Sequence, residues 1–197
     1  MQNPLVRQSV TAARTLLVMT LLLGVGYTAV VLGLGQLIAP AQAAGSLVSR
    51  DGDVVGSSLI GQSFTDADGA PLPEWFQSRP SAVAYDAGGS GASNLGPESG
   101  ELVASIDERR ASIAAFEGVD PSEIPADALT ASASGLDPHI SPDYAALQVP
   151  RVAEARDLDP AEVQALVDAL TEGRTLGFIG EPRVPVLALN LALSELD

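Results

Sequence analysis

The sequence predicts an α+β protein: a single N-terminal transmembrane helix followed by one extracytoplasmic α+β domain. Three observations carry this expectation. Residues 15–39, TLLVMTLLLGVGYTAVVLGLGQLIA, hold no charged side chain. All 25 carboxylates lie beyond that stretch, whereas Arg7 and Arg14 precede it. Beyond residue 45, short β-branched runs and segments of helical periodicity alternate, punctuated by Gly and Pro.

The apolar run Leu16–Ile38 would form a helix of about 34 Å at the α-helical rise, against a hydrocarbon thickness of about 30 Å. In lipid each backbone amide must find its partner within the segment, so such a run reads as one membrane-spanning helix. Gly24, Gly26, Gly33 and Gly35 would weaken a soluble helix, but in a span they let a neighbouring helix approach closely. Arginines before the span and none between Thr15 and Ser49 predict a cytoplasmic N-terminus and an external domain. An Ala-x-Ala spacing within 39–44 allows a cleaved signal instead, but signal h-regions run about 7–15 residues, and this one is longer. The expected organisation is a poorly ordered cytoplasmic head (1–14), the transmembrane helix (15–39), a linker (40–46) and the domain (47–197).

Within the domain, Gly45–Val48 and Asp53–Gly61 read as strands about a turn at Arg50-Asp51-Gly52. Residues 65–73 read as loop. Trp75-Phe76 is read as a core plug in preference to a partner contact, and 86–100 as a Gly/Ser/Asn-rich loop. A helix over 101–116 places Leu102, Ile106 and Ile113 on one face, with Gly118 closing it. Leu129–Ser134 reads as a strand. Ser141-Pro142 opens a helix that Pro150 is expected to divide. Asp159 caps a helix from Pro160 to Glu172 that Gly173 ends, and Val184–Leu193 reads as a last strand.

Composition excludes several chemistries. The chain lacks cysteine and lysine, so thiolate metal sites, cysteine nucleophiles and a Walker-type phosphate loop are unavailable. Ten arginines less the two of the head leave eight against 25 carboxylates, a net charge of −17 beyond the span. Such a domain repels nucleic acid and anionic lipid. With one histidine, His139, and no EF-hand alternation, no metal site is expected. Asp137, His139 and Ser134 or Ser141 sketch a serine hydrolase, but neighbours around a proline can hardly converge as a triad must. No catalytic residue is therefore expected. Arg79, Arg151 and Arg183 stand beside prolines and are read as ion-paired, or as forks gripping a partner carboxylate or phosphate. Gln62, Asn94 and Gln148 offer neutral amides.

Seven short motifs occur in order: Gly-Ser-Leu-Val (45–48), Leu-Ile-Gly-Gln-Ser-Phe (59–64), Trp-Phe-Gln-Ser-Arg-Pro-Ser-Ala (75–82), Ser-Gly-Ala-Ser-Asn-Leu-Gly-Pro (90–97), Thr-Ala-Ser-Ala-Ser-Gly-Leu-Asp-Pro-His-Ile-Ser-Pro (130–142), Gln-Val-Pro-Arg-Val-Ala (148–153) and Leu-Asn-Leu-Ala-Leu (189–193). Together they resemble the C subunit of the Kdp-type potassium-transporting P-type ATPase. The resemblance implies a non-catalytic accessory subunit of a cell-membrane ion-transport complex. It implies three partners: a potassium-channel-like subunit, the P-type ATP-hydrolysing subunit and a small hydrophobic subunit. It implies a role in assembly and as a catalytic chaperone that raises the apparent affinity for ATP. No covalently bound cofactor is implied, and ATP would be met through the complex.

The resemblance implies that the family's proposed nucleotide contact falls on the Gln-x-Pro-Arg-Val stretch, with Gln148 and Arg151 as its candidates. The orientation read above sets that stretch across the membrane from cytoplasmic ATP, which favours coupling through partner subunits. Gln62, Trp75, Arg79, Asn94, Asp137, His139 and Arg183 are the implied partner contacts. Pro185 stands where the family usually has asparagine, so the last strand is expected to start later or lie at an edge. The competing expectation is an anchored or secreted solute-binding module.

Overall fold

The computed structural model describes residues 3–196. The chain divides into two units, 1–47 and 48–197.

The first unit is one continuous helix from Pro4 to Ile38, 35 residues long and apolar enough to cross a membrane, with none of its apolar window buried. Asn3 caps it by accepting from the Leu5 N–H at 3.1 Å, and Pro4 occupies the first turn, where no N–H is needed. The helix is α-helical over α1 (Pro4–Met19) and α2 (Thr28–Ile38) and π-helical between them, from Thr20 to Tyr27. The head expected to be poorly ordered is thus helical from Pro4, because nothing between Pro4 and Arg14 breaks the pattern. Gly24 and Gly26 lie in the π-helical stretch, Gly33 and Gly35 in α2. A methyl added at Gly33 would meet open space. A short helical turn, α3 (Pro40–Ala43), follows.

The second unit is α+β, with few and short strands. Leu47–Arg50 (β1) and Asp53–Ser57 (β2) form a hairpin. Asp51 and Gly52 both take positive φ, +54° and +94°, the combination that two-residue hairpin turns require. The second strand stops four residues before the expected end, where Leu59 N–H turns back onto the Ser57 hydroxyl at 3.2 Å. Helix α4 (Gly100–Glu117) closes at Gly118, whose φ is +69°, as its sequence predicts. A 3-10 turn, Pro121–Glu123, carries a reciprocal capping box between Asp120 and Glu123.

Three expectations are corrected. Leu129–Ser134 is not a strand: Leu129 ends the short helix α5 (Ala126–Leu129). The serines after it bond locally, Ser132 Oγ to Gly135 N–H at 2.8 Å and Ser134 Oγ to Leu136 N–H at 3.1 Å, which draws the backbone away from a ladder. Pro150 does not divide its helix: α6 runs unbroken from Pro142 to Arg156. The carbonyl that Pro150 leaves without a donor belongs to Ala146, an exposed residue. Val184–Leu193 is a strand only over Val184–Pro185 (β4); Val186–Leu193 is helix α8. Beyond Val186 its leucines and alanines are strong helix formers.

Pro185 pairs opposite His139 of β3 (His139–Ile140) in a two-stranded antiparallel sheet. Both strands are edges there, which is where proline is tolerated. Helix α7 (Pro160–Leu170) begins under Asp159, which accepts from Ala161 N–H at 2.8 Å. It ends at Leu170, short of Gly173, with Thr171 at its C-cap.

The core lies where α6, α7 and α8 pack around Phe76. Phe76, Val152, Val163, Val184, Leu189 and Leu193 are fully buried. Phe76 is the core plug; Trp75 beside it is half-buried.

Candidate functional site

Two places gather the residues singled out in the sequence: a bracket around residues 73–77 and a polar cleft beside the β3–β4 sheet.

The bracket arises from polar side chains that the helices carry into the core. Gln148 on α6 is fully buried. Its Oε1 accepts from Gln77 N–H at 2.6 Å and from Arg151 Nη2 at 2.8 Å, and its Nε2 donates to Gln77 O at 3.1 Å. Asn190 on α8 treats the preceding residue alike, accepting from Phe76 N–H at 2.9 Å and donating to Phe76 O at 3.0 Å. Two side-chain amides thus satisfy the backbone N–H and C=O groups of Phe76 and Gln77, which lie outside any strand.

Arg151 adds Nη1 bonds to Pro73 O and Trp75 O. Its Nε pairs with Glu117 at 2.9 Å, and its guanidinium lies 4.5 Å from the centre of the Phe116 ring. The Glu117 side chain is 1% exposed. Burial pushes its carboxyl up, against the opposing pull of the Arg151 hydrogen bond and charge. Arg156 closes the outside, donating from Nε to Glu74 O at 2.7 Å and stacking 4.2 Å over Trp75. Gln148 and Arg151, the residues to which the resemblance points for nucleotide contact, are built into this bracket. A nucleotide reaching either would have to break it.

The cleft, of about 620 Å³, is lined by Arg79, Asp127, Asp137, His139, Ser141, Asp143 and Arg183, among others. Four of the seven implied partner contacts therefore meet there. Asp137 organises one wall. Its Oδ1 accepts from His139 N–H at 3.0 Å and lies 3.4 Å from His139 Nδ1, while Oδ2 pairs with Arg79 Nη1 at 2.9 Å. Partial burial would raise this carboxyl, but the His139 and Arg79 hydrogen bonds and the Arg79 charge outweigh it, and its pKa is lowered.

The loop is held in place by its neighbours. Gly61 N–H donates to Leu136 O at 2.9 Å, and a Cβ at Gly61 would come within 2.4 Å of Asp137 O. Gly135, at φ +67°, likewise has no room for a Cβ, with Val83 Cγ2 at 2.5 Å. The Tyr85 hydroxyl donates to Arg79 O, and burial, its leading cause, pushes that phenol up to about 12. On the other wall Arg183 pairs with Glu172 at 2.7 Å. The Nε atoms of both Arg79 and Arg183 are buried without a partner among the described residues. Ser141 is not placed as a nucleophile: its Oγ donates to Asp127 Oδ1 at 2.8 Å and accepts from Tyr144 N–H at 3.0 Å as the cap of α6.

The remaining candidates lie apart from both places. Gln62 Nε2 donates to Val55 O at 2.8 Å within the first sheet region. Asn94 is exposed, at φ +54°, and donates to Ala92 O at 3.2 Å. Sequence reasoning missed Gln77, Asn190, Glu117 and Asp127. Asn190 had a readable signal: a lone amide inside the apolar run 184–193 must find partners if that run is buried. Glu117 and Asp127 had none, since each is one of 25 carboxylates.

Among the described residues, no group of three His, Asp or Glu side chains could hold a metal ion. A long unburied apolar helix, joined in sequence to a small α+β domain with a polar cleft, is the build of a protein with one candidate membrane span and a separate domain. The family model described as "KdpC: K+-transporting ATPase, c chain" matches residues 9–195. A potassium-transporting ATPase KdpC subunit of Kineococcus radiotolerans is 53% identical over 191 residues, covering 96% of this chain and 94% of that one. The corresponding subunit of Methylococcus capsulatus is 51% identical over 187 residues, covering 92% and 94%. That of Gemmatimonas aurantiaca is 53% identical over 191, covering 93% and 92%. The chain belongs to the KdpC family, and is thus an accessory subunit of a multi-subunit potassium-transporting ATPase, as the seven motifs led one to expect.

Proposed function

We propose that this chain is a non-catalytic assembly subunit of an ATP-driven potassium uptake complex, with its N-terminus in the cytoplasm and its acidic domain outside. Its partners on this reading are a potassium-channel-like subunit, a P-type ATP-hydrolysing subunit and a small hydrophobic subunit. The observation that carries the reading is the Pro4–Ile38 helix, whose apolar stretch beyond Arg14 is uncharged and unburied by its own chain. Such a surface belongs in lipid or against other helices, and Gly24, Gly26, Gly33 and Gly35 supply places for close approach.

The cleft of Arg79, Asp137, His139 and Arg183 is the candidate docking site of the domain. Its opposed charges suit a partner segment that presents both a carboxylate and a cation. A catalytic-chaperone effect on ATP then travels as a coupling free energy through the subunits. The enclosure of Gln148 and Arg151 supports that indirect route over direct contact.

The test compares the ATPase of the intact complex with that of the complex stripped of this chain. The KM for ATP rises on stripping and recovers when the chain is restored. An unchanged KM overturns the chaperone reading. Asp137→Arg, which opposes two arginines in the cleft, reduces recovery of the chain with its partners; wild-type recovery would remove the cleft from the docking site.

A further inference from the structure

Between α7 and β4 the chain forms a hairpin finger that the reading above does not use. Its base is the backbone pair of Glu172 and Arg183, with N–H···O bonds of 2.8 and 3.0 Å. Higher up, Arg174 and Glu181 pair across it. Near the tip Thr175 and Ile179 exchange backbone bonds of 2.9 and 3.0 Å, and Gly177 N–H bonds to Arg174 O at 3.0 Å. Leu176, Gly177 and Gly180 take positive φ. This ordered tip exposes three large apolar side chains: Leu176 at 79%, Phe178 at 71% and Ile179 at 50%. Phe64, Phe76 and Phe116 are all at least half-buried; Phe178 stands out in solvent.

We propose that residues 174–181 are a docking finger whose Leu176, Phe178 and Ile179 seat in an apolar pocket with a basic rim on another subunit of the potassium-transporting ATPase. The proposal rests on the reading of this chain as an assembly subunit. Charge selects the occupant. The chain beyond the span carries −17, which opposes both a second copy of itself and an anionic lipid surface. The finger holds no lysine, tryptophan or tyrosine to anchor it among head groups. Its two cations are paired with Glu172 and Glu181, whose side chains remain 48% and 77% exposed. The finger is therefore neutral in itself, its arginines 45% and 39% exposed, and a basic rim on the partner is favoured by the −17 of the domain that surrounds it.

The finger is also continuous with the cleft, since Glu181, Pro182 and Arg183 line it. A surface of rigid apolar anchors beside a polar site is how interface energy is usually concentrated. Because the backbone bonds already fix the tip, little ordering cost opposes docking.

The experiment places a photo-crosslinking phenylalanine analogue at position 178, and separately at the exposed Val103 of α4, in membranes holding the whole complex. Illumination gives a covalent adduct with another ATPase subunit, identified by mass spectrometry, from position 178 and not from 103. No adduct, an adduct with a second copy, or lipid adducts alone from 178 overturn the proposal, provided the unmodified chain still co-purifies with its partners. Failure of that co-purification overturns the assembly reading as well. In parallel, the triple substitution Leu176→Ser, Phe178→Ser and Ile179→Ser lowers retention of the chain in the purified complex about tenfold, while circular dichroism and the unfolding midpoint stay unchanged. Wild-type retention with an unchanged fold contradicts the proposal.

Discussion

Gln148 shows how a single side chain can carry a structural burden that resembles a binding role. Both its amide atoms are engaged, with the Gln77 backbone on one side and Arg151 on the other. Replacing it by leucine strands the Gln77 N–H and C=O and removes an acceptor from a buried guanidinium. An unsatisfied buried group costs about 1–3 kcal/mol, so Gln148→Leu lowers the unfolding midpoint of the full chain measurably. On the proposed indirect route, any complex that still forms then keeps its KM for ATP, because the residue acts by bracing the fold. A large rise in KM at unchanged stability would contradict this.

Asp137 gives a pH signature. Its pKa is lowered from an ordinary 3.8 in the folded state, so it contributes stability above that value. The contribution is lost as pH falls through the folded pKa, since the unfolded chain takes up the proton first. Denaturation followed between pH 6 and pH 2 therefore shows a shallower acid decline in Asp137→Asn than in the wild type. Parallel curves would show that the Arg79 and His139 bonds do not favour the ionised form.

At the scale of elements, helix ends are where local chemistry is most explicit. Asp157 closes α6 in the left-handed region, at φ +56°, a conformation that costs an L-residue more than glycine. Asp157→Gly relieves a left-handed backbone cost of about 1–2 kcal/mol, less the roughly 0.4–1 kcal/mol by which glycine loosens the unfolded chain, so a small net stabilisation is expected, read as a higher unfolding midpoint. A lower midpoint would mean that the aspartate side chain does more than cap.

The same rule explains what could be read in advance. Gly118, Asp159 and Ser141 declared their helix boundaries because capping is local. Pro150 and the run 184–193 misled because their outcome depends on distant packing. A proline is accepted in α6 where Ala146, whose carbonyl loses its donor, sits at an exposed position, and α8 is locked into the core by Asn190, which reaches Phe76, 114 residues away in sequence. Of the cleft, the residue types were legible in Arg79, Asp137, His139 and Arg183, but their convergence was not. The pairing of β3 with β4 that brings His139 beside Pro185 joins segments 46 residues apart, and no spacing rule encodes it.

For the molecule as a whole, the division between a basic head, an uncharged stretch and an acidic domain makes topology testable. The chain contains no cysteine, so single cysteines report without background. In intact cells a membrane-impermeant maleimide labels Ser93→Cys in the domain, and labels Gln8→Cys in the head only after permeabilisation. The reverse pattern would invert the orientation drawn from Arg7 and Arg14.

That the Pro4–Ile38 helix holds this chain within a potassium-transporting assembly is open to direct test. The most direct measurement is purification of the C-terminally tagged chain from membranes in mild detergent, followed by identification of everything retained. The expected result is a fixed-ratio complex with the other ATPase subunits, hydrolysing ATP in response to potassium. Recovery of the chain alone under every mild extraction would contradict it.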